Sequence, residues 1–183
     1  MKTFKDIIHS GRVAVIRTDT LYGLVGDATR PQTVDRIYTI KNRDPLKPVI
    51  VLIGNYNQLS LFGIHPSNKI MNELKKLWPG KTSVILDAPN ESISTHYLHK
   101  GTGGIAFRIP GDAELRALLI DVGPLVAPSA NPEGLEPAAT IDQAREYFKD
   151  TVDYYMDGGE VTDNKPSQII ALSEDVDVTI IRK

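Results

Sequence analysis

Val13-Ala-Val-Ile-Arg-Thr-Asp-Thr-Leu-Tyr-Gly-Leu24, with its continuation to Lys41, decides the fold class. Residues 13–16 are apolar and mostly β-branched, which predicts a strand. Residues 18–28 are rich in turn formers. Thr29-x-x-Gln32 has the spacing of a capping box. Val34, Ile37, Tyr38 and Lys41 then recur at i, i+3, i+4 and i+7, one face of a helix. The Asp44-Pro45 pair should end it, because proline pushes its predecessor out of the α region.

The same alternation continues outward. Residues 48–53, PVIVLI, read as a buried strand. Helices are expected over 55–62 and 66–77, the second stopped by Trp78-Pro79-Gly80. Strands follow at 82–86 and 105–109, then a helix over 112–121 with Asp112 as N-cap. A short strand at 125–127 runs into Pro128-Ser129-Ala130-Asn131. Thr140-x-x-Gln143 opens a helix to about Phe148. Three strand-like runs, 152–156, 168–172 and 176–182, close the chain. Interleaved helices and strands in 183 residues imply one α/β domain over residues 1–183, and the late strands imply a mixed sheet.

Composition narrows the chemistry. The net charge of −2 supplies no global basic field, so any RNA contact needs a local patch. There is no cysteine, which excludes disulfides, thiolate metal sites and cysteine nucleophiles. The first ten residues carry no apolar targeting core, and the longest apolar runs are far too short for a bilayer. The expectation is a cytoplasmic protein with no membrane association.

Four segments could carry function, and each also has a plain structural reading. Thr18, Thr20, Tyr22 and Gly23 could bind a small polar ligand, or simply form a self-capping turn. The spacing matches neither a dinucleotide fingerprint nor a Walker A loop. Lys41, Arg43 and Lys47 could hold a polyphosphate, or could be a solvated helix end. Ser129 and Asn131 follow a strand, where α/β ligands gather, or form an Asx-type turn. Arg108 inside a strand needs a partner, either a bound anion or an internal carboxylate. His9, His65, His96 and His99 complete neither a triad nor a metal site, so no metal-ligating residue is assigned.

Taken together and in order, these segments resemble the YrdC-like threonylcarbamoyl-AMP synthases. The resemblance rests on residues 17–24, on Ile37-Tyr38 with Lys41-Asn42-Arg43 and Lys47-Pro48, and on Trp78-Pro79-Gly80. It continues through residues 105–110, Pro128-Ser129-Ala130-Asn131, Asp157-Gly158-Gly159 and Pro166-Ser167. It implies a twisted mixed sheet flanked by helices, with a concave electropositive face. It implies formation of threonylcarbamoyl-AMP and pyrophosphate from L-threonine, bicarbonate and ATP, with Mg²⁺ carried by the ATP. Lys41, Arg43 and Lys47 would be catalytic; Arg43, Lys47, Asn131 and Arg182 would bind ATP. Thr18, Thr20, Tyr22, Arg108, Ser129 and Ser167 would bind threonine. A downstream threonylcarbamoyl-transferase complex would modify tRNA with the product, and tRNA or double-stranded RNA could meet a local basic face. A non-catalytic RNA-binding module and a carbamoyl-AMP-forming relative are the alternatives. Arg17 stands where the resembled motif usually has proline. The resemblance is to the short, single-domain bacterial type.

Overall fold

The computed structural model describes residues 3–88, 95–163 and 165–183. The strands are β1 (Ala14–Arg17), β2 (Tyr22–Asp27), β3 (Ile50–Leu52), β4 (Thr82–Asp87), β5 (Gly104–Arg108), β6 (Leu125–Val126), β7 (Tyr154–Met156), β8 (Gln168–Leu172) and β9 (Val178–Arg182). They form one mixed sheet in the order β7-β1-β2-β6-β3-β5-β4-β8-β9. The helices are α1 (Phe4–His9), α2 (Pro31–Lys41), α3 (Asn68–Leu77), α4 (His96–His99), α5 (Ala113–Val122) and α6 (Ile141–Phe148).

Strand alternation gives each face its own core. Ala14, Ile16, Val25 and Leu52 pack with Phe4 and Ile8 of α1 and with Leu115 and Leu119 of α5. Val13, Val15, Leu24, Val51 and Phe107 pack with Ile37 of α2, Leu74 of α3 and Phe148 of α6. This is the expected sheet flanked by helices.

The turn-rich reading of residues 18–28 needs correction, because Tyr22–Asp27 is a strand. It pairs antiparallel with β1, placing Ile16 opposite Gly23 and Ala14 opposite Val25. Gly26 serves close packing. A Cβ on Gly26 would lie 2.4 Å from Thr33 Cγ2 and 3.2 Å from Ile37 Cδ1, so α2 sits directly on the strand.

The capping box at Thr29 is also corrected. The N-cap is Arg30 with Pro31 following, while the Thr29 hydroxyl donates to Asp27 Oδ1. The helix closes at Asn42 in the left-handed conformation (φ 51°), ahead of Asp44-Pro45. Residues 56–62 form a 3₁₀ helix, and α1, not expected from the sequence, opens with a Thr3–Asp6 capping box.

The expected caps at Asp112 and Thr140 both form, accepting from Leu115 N and Gln143 N respectively. The Gln143 carboxamide reaches Ala139 N instead of Thr140 N.

The chain after β6 keeps running beside β2. Leu24 N donates to Pro128 O at 2.9 Å, and Ala130 N donates to Tyr22 O at 2.7 Å. That pairing fixes Ser129 opposite Gly23 and sets the position of the site.

Candidate functional site

A cleft of about 390 Å³ opens where β2, the segment after β6, the exit of α2, the end of β5 and the ends of β8 and β9 converge. Thr18, Thr20, Tyr22 and Ser129 form one wall. Arg43, Arg108, Ser167 and Arg182 line the rest, with Glu136 the one carboxylate among the described residues. Eight of the eleven residues singled out in the sequence therefore share one cavity. Lys41, Lys47 and Asn131 lie outside its lining.

The turn between β1 and β2 holds itself together. Thr18 Oγ1 donates to Leu21 O at 2.7 Å and accepts from the backbone N–H groups of Thr20 and Leu21. Thr20 Oγ1 lies 3.1 Å from Thr18 Oγ1 and 3.4 Å from Arg108 Nη2. Tyr22 is buried; its hydroxyl donates to Gly159 O at 2.8 Å and accepts from Gly158 N at 3.0 Å. Burial raises its pKa. That hydroxyl locks the turn to the Asp157–Gly159 loop.

Arg108 is buried within β5 and pairs with Asp19 at 2.6 Å. So the arginine has an internal carboxylate and also borders the cleft. Asp19 was not singled out in the sequence, because its partner lies 89 residues away.

Arg43 donates through Nη2 to Pro48 O at 2.8 Å, and its Nη1 is 3.8 Å from Glu133. Its guanidinium stands over the Tyr38 ring at 5.8 Å. Arg182 donates to Ser167 O through Nε at 3.1 Å and Nη2 at 2.8 Å. Burial and then the nearby Arg43 charge lower the Arg182 pKa, which marks the cleft as cationic at that end. Among the described residues, the buried side-chain nitrogens with no hydrogen-bond partner are Arg43 Nε and Arg108 Nε. Both belong to arginines that line the cleft, and an unpaired buried N–H calls for an acceptor.

Lys41 is different. It is 1% exposed, and its ammonium donates to Ser129 O (2.7 Å), Asn131 O (2.6 Å) and Asn131 Oδ1 (3.1 Å). All three N–H groups are thus taken within the protein. Burial, with the Arg43 charge beside it, pushes its pKa down to about 8, against the pull of Glu133. Asn131 Oδ1 also accepts from Ser129 Oγ at 2.6 Å, and its amide nitrogen donates to Leu135 O at 2.6 Å. Lys41 and Asn131 therefore build the loop that presents Ser129. Lys47, half-exposed, forms an ion pair with Glu133, and this bond is the main cause of that carboxyl's lowered pKa.

Comparison with known proteins identifies the family. The family model Sua5_yciO_yrdC, described as "Telomere recombination", matches residues 6–183. A threonylcarbamoyl-AMP synthase of Pseudomonas fluorescens (strain Pf0-1) is 30% identical over 163 residues, covering 88% of this chain and 86% of that protein. The threonylcarbamoyl-AMP synthase of Marinobacter nauticus is 29% identical over 167 residues, covering 91% and 87%. The crystal structure of Sua5 of P. abyssi complexed with L-threonine superimposes with a TM-score of 0.81 at 26% identity. It covers 92% of this chain, which spans 49% of that protein. No helix among the described residues is long and apolar enough to cross a membrane. With the family model spanning nearly its whole length, the chain belongs to the Sua5/YciO/YrdC family.

Proposed function

We propose that this protein is a threonylcarbamoyl-AMP synthase, a nucleotidyltransferase that joins L-threonine, bicarbonate and ATP and releases pyrophosphate. One observation carries the reading most. Arg43, Arg108 and Arg182 arrive from three distant segments at one cleft, together with the hydroxyls of Thr20, Ser129 and Ser167. An amino acid and a triphosphate need such cations and hydroxyls within one cavity. An RNA-binding module could leave its cations on an open surface. Relatives of similar length carry the synthase name.

The chemistry needs no protein nucleophile. The threonine amine attacks the carbon of bicarbonate and becomes a carbamate as a C–O bond breaks and water leaves; with carbon dioxide the same carbamate forms with loss of a proton alone. A carbamate oxygen attacks the α-phosphorus of ATP, and the bond to the β-phosphate bridge breaks with pyrophosphate leaving. Arg43 and Arg182 would hold the phosphates; Thr20, Arg108, Ser129 and Ser167 would hold threonine. Rate would come from positioning and from fixed positive charge near developing phosphate charge. Mg²⁺ would neutralise phosphate charge. Among the described residues Glu136 is the one carboxylate lining the cleft, so phosphate oxygens and water would be the chief ligands of the Mg²⁺. Downstream, a transferase complex would pass the threonylcarbamoyl group to tRNA in the cytoplasm, with a local basic face available to tRNA or double-stranded RNA.

The test is mass detection of threonylcarbamoyl-AMP from purified protein, ATP, threonine and bicarbonate. Pyrophosphate released without regard to threonine, but dependent on carbamoyl phosphate, would point to a carbamoyl-AMP-forming enzyme. No nucleotide product at all would leave a binding module.

A further inference from the structure

Asp19 is a largely buried carboxylate to which the proposed reaction gives no part. It sits in the turn between β1 and β2, and both its oxygens are engaged. Oδ1 accepts from Arg108 Nη1 at 2.6 Å, and Oδ2 accepts from Gly111 N at 2.8 Å. The Asp19 and Arg108 side chains are 9% and 4% exposed. The loop it grips is itself held, because Arg116 Nη1 donates to Pro110 O at 2.8 Å and Gly111 O at 2.6 Å. Asp19 is therefore fixed at two points.

Its effect on Arg108 is directional. A guanidinium can present Nε and Nη2 as two parallel donors along one edge, the geometry that matches a carboxylate. Asp19 takes Nη1, which lies off that edge. Along the edge itself, among the described residues, Nη2 meets only Thr20 Oγ1 at 3.4 Å, and Nε is buried with no partner. A buried charged donor without an acceptor is costly, and the cost disappears when a ligand supplies one.

We infer that Asp19 is a positioning residue, which holds the Arg108 guanidinium so that its Nε–Nη2 edge receives the carboxylate of the amino-acid substrate. The inference rests on the proposed function for that substrate. Beside it stands a simpler role, in which Asp19 merely cancels one of three positive charges at the cleft. The two roles have opposite consequences. Removing a mere counter-charge makes the cleft more positive and tightens every anionic ligand. Removing a positioning carboxylate frees the guanidinium to turn, weakening threonine while leaving the phosphates with Arg43 and Arg182.

Asp19→Asn and Asp19→Glu separate them. Asparagine can still accept from Gly111 N but carries no charge. Glutamate keeps the charge and is one methylene too long to hold both partners. Threonine-dependent pyrophosphate release should show the KM for threonine rising roughly tenfold to a hundredfold in both, since a hydrogen bond to a charged group contributes about 1.5–3 kcal/mol. The KM for ATP should stay the same. L-Threoninamide, which lacks the carboxylate, should lose far less, so the preference for threonine over threoninamide should shrink by a similar factor. A general structural lesion would move both alike.

Unchanged or lower KM for threonine in the variants, or equal losses for threonine and threoninamide, overturns the inference. If Asp19→Asn melts well below the wild type, Asp19→Glu carries the test. A wild-type chain with no threonine-dependent release overturns the proposed function itself, which is a different result from a normal wild type with indifferent variants.

Discussion

Lys41 and Arg43 stand two residues apart at the exit of one helix, yet they occupy opposite kinds of environment. The Lys41 ammonium is buried with three acceptors for its three N–H groups. The Arg43 guanidinium borders the cleft, and its buried Nε has no acceptor among the described residues. Arg108 repeats the second pattern. A satisfied cation holds structure together, whereas an unsatisfied one at a cavity is prepared for a ligand. Three cations of one short motif thus divide: Lys41 into the scaffold, Arg43 into the cleft, and Lys47 onto a surface pair with Glu133.

Replacing Arg43 should have the largest effect. With Arg43→Ala, threonine-dependent pyrophosphate release should fall roughly a hundredfold or more, because a cation facing developing phosphate charge contributes several kcal/mol. Melting temperature should change little. Arg43→Lys should rescue poorly, since a point charge cannot reproduce a planar two-pronged grip. Near-normal turnover by a folded Arg43→Ala protein would erase the contrast with Lys41.

Lys41→Met should be the reverse, a lesion of stability first. It leaves Ser129 O and Asn131 O without their buried donor, and an unmet buried polar group costs about 1–3 kcal/mol. The loss of the charge's own burial cost offsets part of this. A net loss of about 2 kcal/mol should lower the melting temperature by roughly 4–8 °C. An unchanged melting temperature with lost activity would move Lys41 among the ligands.

This division was only partly legible in the sequence. The helical spacing that put Lys41 on a face with Val34, Ile37 and Tyr38 correctly argued against a solvated position, and all four are buried. What holds it could not be read, because its acceptors are 88 and 90 residues distant. Asp19 escaped for the same reason, since only the folded sheet brings β5 under the β1–β2 turn. The strand Tyr22–Asp27 was hidden by a local signal. Gly23 and Gly26 read as turn formers, but the second is there because α2 leaves no room for a Cβ. By contrast, β8 matches its expected bounds, 168–172, because an apolar run between loops carries its own evidence. Local periodicity revealed the elements; long-range pairing decided the roles.

Lys47 gives a smaller test of the same contrast. Its side chain is 52% exposed and already paired with Glu133. Exposed ion pairs contribute about 0–1 kcal/mol, so Lys47→Ala should shift the melting temperature by no more than roughly 4 °C. The KM for ATP should rise less than about fivefold, again on the order of 1 kcal/mol. A loss as large as that of Arg43→Ala would mean that Lys47 leaves Glu133 for a phosphate when ATP binds.

The smallest effect comes from pH, and it separates Lys41 as scaffold from Lys41 as ligand without altering any residue in the wild type. In the folded chain this ammonium loses its proton near pH 8, below the ordinary lysine value of 10.5, because it is buried beside Arg43. In the unfolded chain it keeps the proton up to the ordinary value. Between the two, the unfolded state binds more protons, so stability rises with pH, and below about pH 8 the full cost of the buried charge is present. From pH 7.5 to 8.5 the gain integrates to about 0.7 kcal/mol, or roughly 1–3 °C in melting temperature. Activity should move the other way. A neutral amine has two N–H groups for the three acceptors on Ser129 and Asn131, so the loop that presents Ser129 loosens as the proton leaves. Other groups titrate over the same range, and Lys41→Met isolates this one: the difference between the two melting curves should carry the slope. Parallel curves for the wild type and Lys41→Met would show that Lys41 keeps its proton through this window, and the fall in activity would then need another titrating group.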